Sequence, residues 1–328
     1  MTYAGRRGDE YEAFDRPGRR SNRPRTKDRP DYTAAETGMV ITVDRGRFRV
    51  LVSDREVTAT KARQLGRKGV IVGDRVRIVG DTSGAEGTLG RIVEVEERTT
   101  VLRRTADDDD PYERPIVANA DQLVIVTALA DPPPRVGIID RLLVAGYDAN
   151  IQPLLCLTKA DLAAPDELVA QYEPLGVPIL VSFPDADLDP LREWLHGHRS
   201  VFVGHSGVGK STLVNALIPG ARRAIGEVSV ATGRGRHISS SAIALRLPDS
   251  AESWVIDTPG VRSFGLSHVS RNRIIGAFDD LRTIAEACPR GCPHDETAPE
   301  CALDTAVANG ELSPTRLESF RRMLGSGQ

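Results

Sequence analysis

The segment VFVGHSGVGKST at residues 201–212 constrains the fold of this chain more than any other feature. It joins an apolar strand pattern to G-x-x-x-x-G-K-S and then to the helical sequence LVNALI. Glycines at these positions let backbone N–H groups turn toward phosphate oxygens. The pattern predicts a nucleotide-binding loop in which Lys210 reaches the β- and γ-phosphates and Ser211 ligates Mg²⁺; a structural turn without nucleotide is the alternative. The predicted nucleotide-binding residues of this loop are Gly204, His205, Ser206, Gly207, Val208, Gly209, Lys210, Ser211 and Thr212.

A second apolar strand pattern, WVID, ends at Asp257 and continues as T-P-G. A protein with a phosphate loop needs a carboxylate near its Mg²⁺, so we expect Asp257 to hold the metal through water. The Gly260 amide can approach the γ-phosphate. Taken alone, D-x-x-G is more often a turn, but its position some fifty residues after the phosphate loop favours function.

The segment LLCLTKADL at residues 154–162 ends a further predicted strand in T-K-x-D. The Asp161 carboxylate can accept hydrogen bonds from both N1 and N2 of guanine, a donor pair that adenine lacks. The aliphatic stem of Lys159 can cover one face of the base. GTPases usually have Asn at the first position of this element, where Thr158 offers a hydroxyl instead. Ser182 lies where GTPases place a short S-A contact to the base, although a serine at a strand end is equally common without function.

Three of the four cysteines lie between residues 288 and 301, beside a histidine. An odd number of clustered cysteines suits a metal better than disulfides. Three thiolates and one imidazole can close a tetrahedral site, which predicts one structural zinc per chain, with incidental buried thiols as the alternative. The predicted zinc ligands are Cys288, Cys292, His294 and Cys301. The fourth cysteine, Cys156, stands alone in an apolar run.

The rest of the chain predicts two further folding patterns. Residues 38–97 contain short β-rich runs separated by Gly and Asp turns, which predicts a barrel of about five strands, either of the oligonucleotide-binding (OB) kind or SH3-like. Beyond residue 118, buried strands alternate with amphipathic helices, which predicts a parallel, doubly wound α/β sheet. Residues 271–287 and 302–324 look helical. Barrels of these kinds often bind RNA, but this one has few aromatic residues on which bases could stack. If it binds RNA, we expect basic side chains to contact the phosphates, namely those of Arg45, Arg47, Arg49, Arg63, Arg67 and Lys68.

These elements occur in an unusual order, because T-K-A-D at 158 precedes the phosphate loop at 204 and D-T-P-G at 257. Residues 36–325 resemble the circularly permuted small-ribosomal-subunit biogenesis GTPases of bacteria, the RsgA (YjeQ) family. The resemblance lies in this order of elements, in ANADQLVIV at 118–126, in GRGRH at 233–237 and in the Cys/His cluster. The resemblance implies an OB barrel, a permuted GTPase domain and a zinc domain that dock on the small ribosomal subunit and its rRNA late in maturation. It also implies GTP hydrolysis that is slow alone and faster on the ribosome.

The resemblance also implies a catalytic histidine. In that family R-G-R-H is followed by threonines, and its histidine is linked to hydrolysis; here His237 matches it, and Ile238 and Ser239 replace the first two threonines. The Ser239 hydroxyl can still ligate Mg²⁺. Val261 follows D-T-P-G, where many GTPases have the Gln that orients water. We therefore hypothesise that His237, positioned by a partner, orients the attacking water, with a surface histidine in a loop as the alternative.

Bulk properties agree with a globular, multidomain protein of 328 residues, 40% hydrophobic and 27% charged, with a net charge of only −3. No apolar run is long enough to cross a membrane, and the N-terminus lacks a secretory signal pattern, so we expect a cytoplasmic protein, and a monomer. Two other functions stay open: an RNA-binding module with a regulatory, barely catalytic guanine-nucleotide pocket, and an ATP-dependent kinase or ATPase, against which Asp161 argues. The predicted division is a disordered tail at 1–35, an OB barrel at 36–104, a linker at 105–117, a circularly permuted P-loop GTPase domain at 118–268 and a helical zinc-binding domain at 269–328.

Overall fold

The N-terminal part of the chain forms the predicted five-stranded barrel. The computed structural model describes residues 32, 35–66, 69–105, 114–221, 242–248, 250–260 and 274–326. The barrel strands pair in the closed order β1–β2–β3–β5–β4–β1, in which only β3 and β5 are parallel. This arrangement is OB-like, as predicted. The strands are β1 (Glu36–Asp44), β2 (Arg47–Val52), β3 (Arg55–Lys61), β4 (Arg75–Gly80) and β5 (Gly90–Val95).

Closure of the barrel follows from the sequence of its strands. Alternate apolar side chains, such as Phe48, Val50 and Val52 on β2, point into one buried cluster. At Gly38 a Cβ atom would lie 2.7 Å from the Leu51 carbonyl oxygen, so glycine allows β1 to approach β2 closely while also pairing with β4. The barrel therefore has a buried core of its own, and Val43 of β1 packs against both this core and the core of the central domain.

A two-stranded hairpin follows the barrel and includes part of the expected linker. Strand β6 (Val101–Arg104) pairs antiparallel with β7 (Arg114–Ala118), so the end of the 105–117 segment is regular structure. Val117 and Ala118 are fully buried next to Leu102, so their backbone N–H and C=O groups need hydrogen-bond partners within the protein. Pairing with β6 supplies them. The acidic residues 107–110 lie outside the described part of the chain.

The central sheet carries the predicted strands and one more. Five strands run parallel in the order β10–β9–β8–β11–β13. A sixth, β12, pairs antiparallel with β13, so the expectation of a wholly parallel sheet is wrong at this edge. The hairpin-like return from β12 to β13 needs only a short connection, which permits the antiparallel direction. The strands are β8 (Gln122–Ala128), β9 (Gln152–Thr158), β10 (Ile179–Val181), β11 (Arg199–Gly204), β12 (Ile243–Arg246) and β13 (Trp254–Asp257).

Helices cover both faces of this sheet, as a doubly wound fold requires. Helices α1 (Val136–Asp148) and α2 (Asp166–Tyr172) pack on one face. Helices α3 (Asp189–Leu195) and α4 (Lys210–Leu217) pack on the other. Successive residues of the central strands face opposite clusters, which explains why these strands read as continuous apolar runs.

The C-terminal region contains three described helices, α5 (Asp279–Ala285), α6 (Ala302–Ala308) and α7 (Pro314–Ser326). The stretch expected to be helical over 302–324 forms two helices, because Gly310 adopts a left-handed φ of 77° and Pro314 begins a new helix. Of the helical stretch expected over 271–287, residues 271–273 lie outside the described part of the chain, residues 274–275 are helical, and α5 begins at Asp279. These helices pack on α1 through Phe278, whose ring meets Tyr147 and Phe320 edge to face at 4.7 and 5.8 Å.

The barrel and the central sheet are joined edge to edge. Strand β1 pairs with β12 at Thr42 and Ile243, which makes an eleven-stranded sheet continuous from β10 to β4. Arg246 of β12 adds an ion pair of 3.1 Å to Asp54 of the barrel. No helix within the described ranges is long and apolar enough to span a membrane.

Candidate functional site

The phosphate-loop sequence forms a tight connection between β11 and α4. Gly204 ends β11, and a Cβ atom there would lie 2.5 Å from the Val126 carbonyl oxygen. Gly207 and Gly209 have left-handed φ angles of 88° and 90°, which glycine adopts without strain. Helix α4 begins directly afterwards at Lys210, so a helix N-terminus faces the loop. This is the strand–loop–helix geometry that the sequence predicted for phosphate binding.

Lys210 joins the phosphate loop to the D-T-P-G segment. Its side chain is almost fully buried, and its Nζ contacts the Asp257 carboxylate and donates to the Thr258 carbonyl oxygen at 2.6 Å. Gly260 lies against the same loop, because a Cβ atom there would be 3.4 Å from the backbone nitrogen of Ser206. Segments separated by almost fifty residues therefore meet at one place, as predicted.

Ser211, the Mg²⁺ ligand predicted in the loop, and its neighbour Thr212 are more exposed than Lys210. Ser211 and Thr212, the second and third residues of α4, are exposed. The Asp257 side chain is mostly buried but not sealed, since 14% of its surface remains accessible. Hydroxyl and carboxylate oxygens are the donors that Mg²⁺ prefers, so these residues fit the ion that the sequence predicted.

Thr158 connects the T-K-A-D element to the phosphate loop. It is the last residue of β9, and its hydroxyl lies 2.6 Å from the Val208 carbonyl oxygen and 3.1 Å from that of Thr127. A Cβ atom on Gly209 would lie 3.6 Å from the same hydroxyl oxygen, so the two segments are in close contact. The threonine that departs from the usual Asn thus uses its hydroxyl to hold the phosphate loop.

The remaining base-reading residues lie around one cleft. Lys159, with a left-handed φ of 59°, donates from Nζ to the Asp131 carbonyl oxygen, a contact that the sequence did not reveal. The Ser182 carbonyl oxygen accepts a hydrogen bond of 3.3 Å from the Ala160 amide, which joins the two base-reading loops. A cleft of about 500 Å³ has Thr158, Lys159, Ser182, Gly209 and Thr212 in its walls, a volume suited to a small-molecule ligand.

The predicted guanine-reading and hydrolytic residues are not in this cleft lining. Asp161 is exposed and lies two residues beyond Lys159 on the loop that follows β9. His237 and Ser239 lie outside the described residues, as does Val261. Backbone carbonyl groups such as those of Thr127, Asp131 and Val208 carry no residue-type signal, which is why sequence reasoning missed their part in the site.

The predicted zinc ligands converge at the C-terminal end of the chain. The ligand atoms of Cys288, Cys292, His294 and Cys301 all lie within 4.8 Å of one another. The Cys288 sulfur is 3.6 Å from His294 Nδ1 and 3.9 Å from the Cys301 sulfur. A tetrahedral zinc with bonds of about 2.3 Å to sulfur and 2.0–2.1 Å to nitrogen requires ligand separations of roughly 3.6 to 3.8 Å. The cluster therefore fits one tetrahedral metal ion.

The surroundings of the cluster support metal binding. Burial, with a smaller contribution from the neighbouring Cys292 and Cys288 thiols, raises the pKa of the Cys301 thiol to about 11. A bound cation stabilises the thiolate forms that such crowding disfavours. The Ala302 amide donates to the Cys288 sulfur at 3.3 Å. By contrast, burial raises the pKa of Cys156 to about 12 within β9, which makes that thiol an inert part of the sheet core.

Arg321 of α7 braces the metal cluster from outside. Its Nε donates to the His294 carbonyl oxygen at 3.1 Å, and its two terminal nitrogens donate to the Asp304 carboxylate at 2.8 and 2.7 Å. Asp304 lies in α6, which begins directly after Cys301. One guanidinium therefore links two ligand-bearing segments, an arrangement that sequence reasoning missed because the pairing is non-local.

The fold and the site together define a class. A doubly wound sheet whose phosphate loop, D-T-P-G and T-K-A-D segments meet at one edge is a P-loop GTPase domain, and the chain order of the segments makes it circularly permuted. The family profile described as RsgA GTPase matches residues 95–267.

Known proteins and structures give the same assignment. The chain is 38% identical over 305 residues to the small ribosomal subunit biogenesis GTPase RsgA of Pseudomonas aeruginosa, covering 90% of this chain and 87% of that relative. It is 40% identical over 266 residues to the protein of the same name from Pseudomonas putida, covering 78% and 75%. The crystal structure of YjeQ from Thermotoga maritima matches with a TM-score of 0.65 at 25% identity, over 89% of this chain and 98% of that one. YloQ, described as a circularly permuted GTPase, matches at 0.63 and 25%, over 92% and 97%. The chain belongs to the RsgA GTPase family, and it is a GTP-hydrolysing enzyme.

Proposed function

We propose that this GTPase acts in the late maturation of the small ribosomal subunit, with hydrolysis stimulated by the subunit. The observation that carries the proposal is the convergence of three segments, in which Thr158 bonds the Val208 carbonyl oxygen of the phosphate loop and Lys210 bonds Asp257 and Thr258. The relatives that share this chain over nearly its full length are named small ribosomal subunit biogenesis GTPases.

The nucleotide occupies the cleft between the phosphate loop and the base-reading loops. Backbone amides of residues 205–209 and the Lys210 ammonium bind the phosphates, while the hydroxyl of Ser211 and the carboxylate of Asp257 hold Mg²⁺. When bound, Mg²⁺ offsets the negative charge of the β- and γ-phosphates. Asp161 accepts the N1 and N2 hydrogen bonds of guanine, and the Lys159 stem covers one face of the base.

Other residues of the proposed site have positioning roles. Thr158 holds the phosphate loop through its hydroxyl, Ser182 offers backbone contacts beside the base, and the Gly260 amide approaches the γ-phosphate.

The hydrolytic step depends on His237. We assign it the orientation of the attacking water, and Ser239 a hydroxyl contact to Mg²⁺, because Val261 cannot orient water. The ribosomal subunit positions the histidine, which accounts for stimulation. We expect His237→Ala to abolish most of the increase in GTP hydrolysis that small subunits cause while leaving GDP affinity unchanged. Hydrolysis at the wild-type rate in the presence of subunits would contradict this role.

The C-terminal cluster holds one structural zinc. All four predicted ligands lie close enough to fill a tetrahedral shell, which leaves no position for catalysis. The metal ties the loop 288–301 between α5 and α6.

The proposed partners are the small subunit and its rRNA, bound by a monomer in the cytoplasm. Arg45, Arg47 and Arg63 are exposed on the barrel, and phosphate contacts need exposed cations of this kind. Arg49 is partly committed to Glu56 at 3.4 Å, while Arg67 and Lys68 lie outside the described residues. The division into a barrel at 36–104, a GTPase domain at 118–268 and a zinc-binding domain at 269–328 stays a prediction.

Co-sedimentation with separated ribosomal subunits, in GDP or in a non-hydrolysable GTP analogue, tests the proposal together with multiple-turnover phosphate release. We expect binding to small subunits, stronger with the GTP analogue, and faster phosphate release in their presence. Lys210→Ala serves as a control that loses nucleotide binding. Binding to RNA with no stimulated phosphate release would instead favour an RNA-binding module with a regulatory pocket, and failure to bind small subunits would refute the proposal.

A further inference from the structure

An exposed aromatic side chain stands at the mouth of the nucleotide cleft. Within the described residues, four large hydrophobic side chains are exposed: Leu89 (48%), Leu162 (57%), Val181 (43%) and Phe183 (50%). Of these four, only Phe183 lines the cleft of about 500 Å³. When a flat apolar ligand covers an exposed phenylalanine at the edge of a binding cleft, the burial of both apolar surfaces favours binding.

A rigid turn presents this ring. The Ala186 amide donates to the Phe183 carbonyl oxygen at 3.1 Å, which closes a four-residue turn. Pro184 occupies the second position of the turn, and Asp185 has a left-handed φ of 65° at the third, the pattern of a type II turn. Just before it, the Ser182 amide donates to the Leu157 carbonyl oxygen at 2.7 Å and fixes the turn to the sheet. The aromatic ring therefore projects from a backbone with little freedom to move away.

The part of the cleft wall formed by the neighbouring loop after β9 is also held in place. The Lys159 ammonium is bonded to the Asp131 carbonyl oxygen, which restrains its aliphatic stem, and Thr158 is bonded to the phosphate loop. Gly209 and Thr212 line the same cleft, so the cleft runs from the phosphate loop to the turn that carries Phe183. If the phosphates of a nucleotide bind at the phosphate-loop end of this cleft, its base lies at the other end, beside Phe183.

We propose that Phe183 binds the purine ring of the guanine nucleotide by stacking on its face, as a second apolar wall beside the Lys159 stem. The inference rests on the proposed placement of the nucleotide in this cleft. Where GTPases have a short S-A contact to the base, this chain has Ser182 followed by Phe183, so a small residue is replaced by one that can stack. Stacking of a base on an aromatic ring is tolerant of the substituents on the base, whereas the Asp161 contacts depend on them.

The test compares GDP with inosine diphosphate, which lacks the 2-amino group, in binding to the full-length protein. We expect Phe183→Ala to raise the Kd for both nucleotides by the same factor, about fivefold to a hundredfold. Phe183→Trp retains a ring and should restore the affinity, and the emission of the new indole should be quenched when GDP binds. Leu89→Ala, which removes an equally exposed side chain from the barrel, is the matched control and should leave both Kd values unchanged.

The outcomes separate this inference from the function on which it rests. A Kd for GDP that stays within twofold of wild type in Phe183→Ala would overturn the stacking role, while GDP binding by the wild type would still support the nucleotide site. A loss of affinity that Phe183→Trp does not restore would also overturn it, since a loop distortion and not a missing ring would then be the cause. Absence of any GDP binding by the wild-type protein would refute the proposed function itself.

Discussion

The hydroxyl of Thr158 offers a sharp test of how the permuted site is held together. Replacing Thr158 by Val keeps the shape of the side chain, and hence its packing against Gly209, but removes the hydrogen bond of 2.6 Å to the Val208 carbonyl oxygen. The position is almost fully buried, at 6% exposed, so water cannot replace the lost donor. The substitution therefore tests the hydroxyl that joins the base-reading element to the phosphate loop, and it also removes the longer contact of 3.1 Å to the Thr127 carbonyl oxygen.

The expected cost follows from that burial. A neutral hydrogen bond contributes about 1 kcal/mol net, and a buried carbonyl left without its donor costs about 1–3 kcal/mol. We expect the free energy of unfolding to fall by about 1–3 kcal/mol, which corresponds to a decrease in Tm of roughly 2–12 °C for a domain of this size. Because the loop must be correctly placed to bind phosphates, part of the same free energy should appear as a Kd for GDP raised by about tenfold.

Thermal unfolding and titration calorimetry with GDP measure the two effects. Thr158→Ser retains the hydroxyl and should recover most of the GDP affinity. The matched control is Thr42→Val, at a threonine of β1 that is also 6% exposed and whose hydroxyl forms no hydrogen bond with the residues described. If Thr158→Val matched Thr42→Val in both Tm and Kd, the hydroxyl would not hold the phosphate loop, and the reasoning would be wrong.

Two other contacts can be tested in the same way. Arg321→Ala should raise the rate of zinc loss to a chelator and weaken zinc binding about 10- to 100-fold, because it frees the His294 carbonyl that the guanidinium holds. Arg322→Ala should lower the free energy of unfolding by about 2–3 kcal/mol, since it removes the cation 3.3 Å from the fully buried Asp140, and adding Asp140→Asn should recover part of that loss.

Each of these two predictions has its own check. Arg316 lies on the same helix and makes a similar two-point contact, of 3.0 and 2.9 Å, with Asp280, so Arg316→Ala should leave zinc release unchanged. Equal zinc release from the two arginine variants would remove the special role of Arg321. If the Asp140→Asn and Arg322→Ala effects on unfolding simply added, the two side chains would not be energetically coupled.

The phosphate loop and the metal cluster could be predicted from the sequence, because residue type and spacing determine their chemistry. Glycines that must adopt left-handed φ angles, a lysine and a hydroxyl at fixed spacing marked the phosphate loop, and the structure has Gly207 and Gly209 at those angles. Likewise, thiol and imidazole groups clustered in fourteen positions predicted a metal site, and their ligand atoms do converge.

The tertiary structure decided how those pieces meet. Sequence placed Thr158 in the base-reading element, but only the packing of β9 beside the phosphate loop directs its hydroxyl to a backbone carbonyl, a group that is the same in every residue. The antiparallel direction of β12 and its joining to the barrel at Thr42 also depend on pairings between distant segments. Local patterns specify which side chain a position carries and which backbone angles it favours; which non-local groups it contacts is determined by the folding of the whole chain.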